Sequence, residues 1–285
     1  MEAVVRSFAG AGGITLIGDA YGEVGAAPVL LMHGGGQTRH AWGNTAETLA
    51  AAGRYVVSLD ARGHGDSDWS PDADYTHDPM IEDARAVAGV LADEAGGRAP
   101  AFVGASMGGI ISLLAIGERH VDASALVLVD IATRMEESGV DKILTFMRSG
   151  TEGFASVEEA ADAVSAYQPH RPRPKDVSGL KKNLRQREDG RWYWHWDPAF
   201  MDPDGKTPRR SRDPDRLDDA ARALTIPTLL VRGRASDVVS EEGARYFLEL
   251  VPHAEYVDIA DAHHMVAGDR NDAFGTAVVD FLTRE

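Results

Sequence analysis

The stretch Gly104-Ala105-Ser106-Met107-Gly108-Gly109 decides how this chain reads. It closes an apolar run at 101–104 with the length of a short buried strand, and it opens an apolar segment at 107–116 that suits a buried helix. A G-x-S-x-G pattern between strand and helix makes a sharp turn that exposes the serine, and small residues two before and two after it leave room for neighbouring chain. The pattern is short, and a glycine-rich turn of this kind also suits a phosphate cradle or a plain tight connection. A serine hydroxyl is a weak nucleophile at neutral pH, so a catalytic reading requires a base and a third group to hold it.

Working outward from the turn, residues 14–18, 28–32, 54–59 and 125–129 read as strands. Residues 81–92 carry Ile81, Ala84, Val87, Ala88 and Leu91 at helical spacing. The same rhythm returns with strands at 227–231 and 255–259 and helices at 241–250 and 272–282. Strands alternating with helices predict a mostly parallel sheet covered on both faces. Between 134 and 222 the pattern changes: seven of the thirteen prolines and three of the five tryptophans fall there, with helices expected at 140–147 and 157–167. The expected organisation is a core at 1–133, a mostly helical insertion at 134–222 and the rest of the core at 223–285.

Partners for Ser106 are sought at the C-terminal ends of strands, where a parallel sheet places its site. Asp237 follows the strand at 227–231, and His264 follows the strand at 255–259. Asp130, directly after the strand at 125–129, is the alternative acid. Developing negative charge needs backbone N–H donors. The glycine run Gly34-Gly35-Gly36 after the strand at 28–32 suits that need, so the donors are assigned to Gly35 and Met107, with Gly36 as a substitute. The run matches neither G-x-G-x-x-G nor a P-loop.

Five pieces together resemble the α/β-hydrolase fold with a helical cap: Leu31-Met32-His33-Gly34-Gly35-Gly36, Asp60-Ala61-Arg62-Gly63-His64-Gly65-Asp66-Ser67, the serine turn, Arg232-Gly233-Arg234-Ala235-Ser236-Asp237, and His264-Met265-Val266-Ala267-Gly268-Asp269. The resemblance runs from about residue 8 to 283 and leaves the insertion unmatched. It implies a catalytic set in the chain order Ser106, Asp237, His264. His263 stands where the family commonly has glycine, and His264 holds the matching position. A serine nucleophile favours acyl transfer on an ester, lactone or thioester over the chemistry of relatives with a carboxylate at this position. Relatives with a Ser/Asp/His set also include carbon–carbon hydrolases, cofactor-free perhydrolases and dioxygenases, and some proteins keep the fold as non-catalytic binders. No cofactor is implied.

Trp192, Trp194 and Trp196 alternate, so in an extended segment they share a face that either lines an apolar or aromatic substrate pocket or anchors the insertion. Trp42 faces the same choice, and Tyr167 and His170 are weaker pocket candidates. His64 is expected to brace a turn.

The 285 residues carry a formal net charge of −16, which argues against nucleic acid and anionic membrane partners. The basic run Arg171, Arg173, Lys175, Lys181, Lys182, Arg185 and Arg187 reads as a solvated surface. The absence of cysteine excludes disulfides and thiolate sites. The adjacent His263-His264 pair lacks the spacing for a zinc-chelating helix face. Met1-Glu2-Ala3-Val4-Val5-Arg6 has no export-signal pattern, so a cytoplasmic location is expected.

Overall fold

Side chains along the central apolar runs alternate between two cores. Leu30 and Met32 face one layer while Val29 and Leu31 face the other, and all four are buried. A strand buried on both faces must be apolar throughout, which explains the unbroken hydrophobic runs. Each such side chain contributes about 1.5–3 kcal/mol when fully buried.

The computed structural model describes residues 3–201, 213–266 and 271–284. Its first half contains β1 (Val4–Ala9), β2 (Thr15–Tyr21), β3 (Ala27–Met32), α1 (Gly43–Ala51), β4 (Arg54–Leu59), α2 (His77–Glu94), β5 (Ala101–Ala105), α3 (Met107–Gly117) and β6 (Ala125–Val129). Then come α4 (Glu137–Arg148), α5 (Val157–Tyr167), β7 (Leu184–Gln186) and β8 (Trp192–Trp194). The chain closes with α6 (Pro214–Arg222), β9 (Thr228–Gly233), α7 (Glu241–Leu250), β10 (Glu255–Ile259) and α8 (Asn271–Thr283).

The eight-stranded sheet runs β1-β2-β4-β3-β5-β6-β9-β10. It is antiparallel from β1 to β4 and parallel beyond. Helices α2, α3, α6 and α7 cover one face; α1 and α8 cover the other. The parallel portion sets the C-terminal ends of β3, β5, β6, β9 and β10 along one rim. Strand β1 and helix α1 are additions to the sequence reading. Val4 and Val5 are more than 60% exposed on an edge strand, and α1 is built from Gly, Ala, Thr and few large apolar residues, so neither carries a strong pattern.

The insertion needs one correction. Residues 214–222, placed inside it with no helix expected, form α6 and belong to the main core: Leu217, Ala220 and Ala221 are buried there, and a side chain at Gly117 would strike the Ala220 backbone. A separate third cluster joins Met147, Phe154, Val157, Leu184, Trp194 and Trp196 from α4 through β8 and the turn after it. Pro203 and Pro208 of the proline-rich segment, and Ala267, Gly268 and Asp269 of the last matching piece, lie outside the described residues. Among the described residues no helix is long and apolar enough to cross a membrane.

Candidate active site

Ser106 sits between β5 and α3 with φ 46° and ψ −115°, a conformation that non-glycine residues rarely adopt. Such a residue stores of order 1–3 kcal/mol of strain, held by surrounding structure. The holding contacts are the glycines of the pattern. A side chain at Gly104 would meet the Gly108 carbonyl, one at Gly108 the Met32 carbonyl, and one at Gly109 the Ile131 side chain. The Ser106 N–H donates to the Val129 carbonyl at 3.2 Å, and the Gly108 N–H to the His33 carbonyl at 3.2 Å. The Met107 N–H, at the first turn of α3, has no hydrogen-bond partner among the described residues and faces the positive end of the helix dipole.

The structure places Asp130, and not Asp237, against His264. The His264 Nδ1–H donates to Asp130 Oδ2 at 2.7 Å, which leaves Nε2 as the basic nitrogen. Asp130 is fully buried at φ 49°, and its carboxylate also accepts from the Gly233 N–H at 2.9 Å and the Ser236 hydroxyl at 2.5 Å. Asp237 instead pairs with the Lys142 ammonium of α4 at 2.9 Å, its side chain 47% exposed. Burial pushes the Asp237 carboxyl up, but the hydrogen bond and charge of Lys142, together with its own backbone and the charge of His264, hold it below the usual range. The difference lies in the loops: Asp130, at φ 49° directly after β6, turns its carboxylate toward the loops that follow β9 and β10, whereas Asp237 is drawn to Lys142 of α4. The β9 loop therefore supplies the two donors that hold Asp130. Ser236 was a neighbour of the expected acid, but nothing in its local sequence marked it.

The glycine loop is held almost atom by atom. Its Gly34 N–H donates to Gln37 Oε1 at 3.0 Å and its Gly34 carbonyl accepts from His33 Nδ1 at 2.8 Å. The Gly36 N–H donates to His64 Nε2 at 3.1 Å, and the Gly36 carbonyl accepts from His195 Nε2 at 3.3 Å. Gly36 is thereby committed, and the Gly35 N–H is the loop donor left without a partner among the described residues. Gly34 lies against Ser106: a side chain added there would sit 3.3 Å from the serine Cβ.

Ser106, His264, Gly34 and Gly35 line one cavity of about 390 Å³. Its far wall comes from the insertion: Ile143, Phe146, Met147, Tyr167, Trp194 and Trp196. Trp194 stacks on Trp196 at 5.0 Å between ring centres, and Phe146 on Tyr167 at 4.3 Å. The Tyr167 hydroxyl is pushed up to about 12 by burial and the charge of Asp237.

The model of the alpha/beta hydrolase fold family matches residues 27–270. This chain belongs to the α/β hydrolase family. It is 29% identical over 257 residues to an esterase of Mycobacterium tuberculosis, covering 86% of this chain and 80% of the relative. It is 27% identical over 300 residues to a 2-hydroxy-6-oxo-6-(2'-aminophenyl)hexa-2,4-dienoic acid hydrolase of Metapseudomonas resinovorans, covering 99% and 92%. Among solved structures, E-2-(acetamidomethylene)succinate hydrolase superposes with a TM-score of 0.83 at 21% identity, covering 99% of this chain and all of that one.

Within this α/β hydrolase the four expected pocket tryptophans divide. Trp194 and Trp196 line the cavity. Trp42 does not: it is buried beneath the sheet, 5.9 Å from Phe274 of α8, because its turn leads directly into α1. Trp192 lies on the outer side of the insertion, 5.8 Å under the Lys181 ammonium. His170 stacks on His263 at 3.6 Å, and Arg171 donates to the Met265 carbonyl at 3.3 Å, so both secure the loop that carries His264. The basic run is partly tied down: Arg173 pairs with Asp162 and Arg185 with Asp66, each at 2.7 Å.

The histidines that hold the hydrolase loop are neutral. His33 Nε2 accepts from the Ala61 N–H at 3.0 Å and His195 Nδ1 from the Gly65 N–H at 2.7 Å, roles that protonation would abolish. Burial lowers His33 and His64, and burial with nearby His33 lowers His195 to about 3. The unfolded chain binds protons at an ordinary histidine value near 6.5 while the folded chain does not. Stability is thus complete above that value and falls as the pH drops from about 6.5 toward 3. His195 alone is expected to cost about 2 kcal/mol by pH 5. Urea midpoints at pH 7 and pH 5 check this, with the loss reduced in His195→Gln.

Proposed function

We propose that this protein is a serine hydrolase of carboxylic esters or lactones that works through an acyl-enzyme. The observation that carries the reading is the His264–Asp130 pair, 2.7 Å apart, opening on the same cavity as a strained Ser106. Likeness to the mycobacterial esterase supports the ester bond as the target.

In this reading the Ser106 Oγ attacks the substrate carbonyl while His264 Nε2 takes its proton. Asp130 holds the imidazole in the required tautomer and stabilises its charged form. The Gly35 and Met107 N–H groups receive the developing oxyanion, the kind of donor whose loss typically costs about 100–1000-fold in kcat. His264 returns the proton to the leaving alcohol, and water then repeats the attack on the acyl-enzyme. The wall of Phe146, Trp194 and Trp196 suits an apolar or aromatic substituent, and the insertion, at 134–201 in this account, acts as the cap over the site.

Intact mass after exposure to a fluorophosphonate tests the mechanism. One adduct is expected on the wild type and none on Ser106→Ala or His264→Ala. No adduct on folded wild-type protein would sink the reading. A second reading, carbon–carbon hydrolysis, is favoured by likeness to the dienoic acid hydrolase, whose named substrate contains no ester. Turnover of a 2-hydroxy-6-oxo-dienoic acid by carbon–carbon cleavage, with none across an ester and lactone panel, would put it first.

A further inference from the structure

Three points tie the insertion to the loop after β4. Arg185 donates to the Gly65 carbonyl at 2.9 Å and to Asp66 at 2.7 Å, the Asp197 N–H donates to the Gly63 carbonyl at 2.9 Å, and His195 accepts from the Gly65 N–H. Of these residues only His195 extends further, because its second nitrogen reaches the Gly36 carbonyl. That carbonyl shares its peptide plane with the Gln37 N–H, which donates to the Gly34 carbonyl at 3.1 Å, and the Gly34 carbonyl shares its plane with the Gly35 N–H. We propose that His195 is a positioning residue for the oxyanion loop, through which the docked insertion sets the aim of the Gly35 N–H. This rests on the reading of Gly35 as an oxyanion donor.

The packing leaves His195 little freedom to do otherwise. It is 1% exposed, its ring meets Trp196 edge-on at 5.3 Å, and it stands 5.7 Å from His64. His64 in turn holds the Gly36 N–H and is pinned edge-on by Phe200 at 4.7 Å. The two polar groups of Gly36 are therefore gripped by different parts of the chain, His64 from the core and His195 from the insertion. Gly36 itself has φ 74° and is wedged against Met147 and Trp196, where a side chain would lie 3.3–3.4 Å from both. A loop residue without a Cβ has wide backbone freedom, so these two hydrogen bonds supply the rigidity that an oxyanion donor requires. Freeing the Gly36 carbonyl lets its own peptide rotate, loosens the Gln37 N–H from the Gly34 carbonyl and moves the Gly35 donor off target, which slows the chemical step without changing how the ground-state substrate sits.

The test compares His195→Leu, His195→Gln and Arg185→Ala on a p-nitrophenyl ester, with amide hydrogen exchange of Gln37 measured in parallel. Glutamine keeps an N–H donor at the reach of the imidazole Nε2, and Arg185→Ala cuts an insertion contact that does not touch the glycine loop. The expected result for His195→Leu is a fall in kcat of about 30-fold with KM within about threefold, and faster Gln37 exchange. His195→Gln should recover kcat to within about fivefold, and Arg185→Ala should stay within about twofold. Unchanged kcat or unchanged Gln37 exchange in His195→Leu overturns the proposal, as does an equal loss in Arg185→Ala, which would make docking as a whole responsible. A wild type that turns over no ester would count against the ester reading, while the exchange measurement still judges His195 on its own.

Discussion

Ser106→Gly is expected to abolish ester turnover, lowering kcat by about a millionfold, and at the same time to make the protein more stable. The serine occupies φ 46°, where a side chain is strained and glycine is not. Relief of that strain outweighs the extra freedom glycine has in the unfolded chain by about 1 kcal/mol, which corresponds to a rise in Tm of roughly 2 °C in a chain of this size. Ser106→Ala should lose activity equally but keep the strain, so the pair separates the two effects. Thermal melts of the three proteins, alongside initial rates, provide the check. A glycine variant no more stable than the alanine variant would show that the turn is not held under strain.

The second large effect discriminates between the two acids. Asp130→Asn is expected to lower kcat by about 10,000-fold, because an amide facing Nδ1 favours the wrong imidazole tautomer and cannot stabilise the imidazolium. Asp237→Asn should change kcat by less than about threefold, since its partner is an exposed lysine and exposed ion pairs contribute about 0–1 kcal/mol. The reverse ranking would mean that the loops after β6 and β9 exchange roles in the working enzyme. Asp130→Asn also strands the hydrogen-bond network around Ser236, so a folded-state control by circular dichroism belongs beside the kinetics.

The two acids show where sequence reading stopped. Both follow an apolar strand, both precede His264, and their local sequences are equally suitable. What separates them is the partners each carboxylate meets, Asp130 the Gly233 N–H, Ser236 and His264, and Asp237 the Lys142 ammonium across the loop from α4, and these are contacts between distant segments. His195 was equally hidden. In the sequence it is one polar residue among tryptophans, and its role depends on meeting Gly36, 159 residues away. Trp42 shows the opposite error: proximity to the glycine loop suggested a pocket wall, yet the turn leads the indole beneath the sheet.

Local chemistry made the rest readable. A serine flanked by Gly104, Gly108 and Gly109 can be packed against crossing backbone in few ways, so the turn between β5 and α3 followed from composition and spacing. Unbroken apolar strands alternating with helices require burial on both faces, so a covered, mostly parallel sheet followed as well. The fold and the sharp serine turn between β5 and α3 were thus determined by the sequence alone, through short-range sterics and burial. The acid that holds the histidine, the extent of the insertion and the histidine grip on Gly36 were decided only in three dimensions. Each depends on which distant segments come into contact, and contact of that kind leaves no local pattern in the chain.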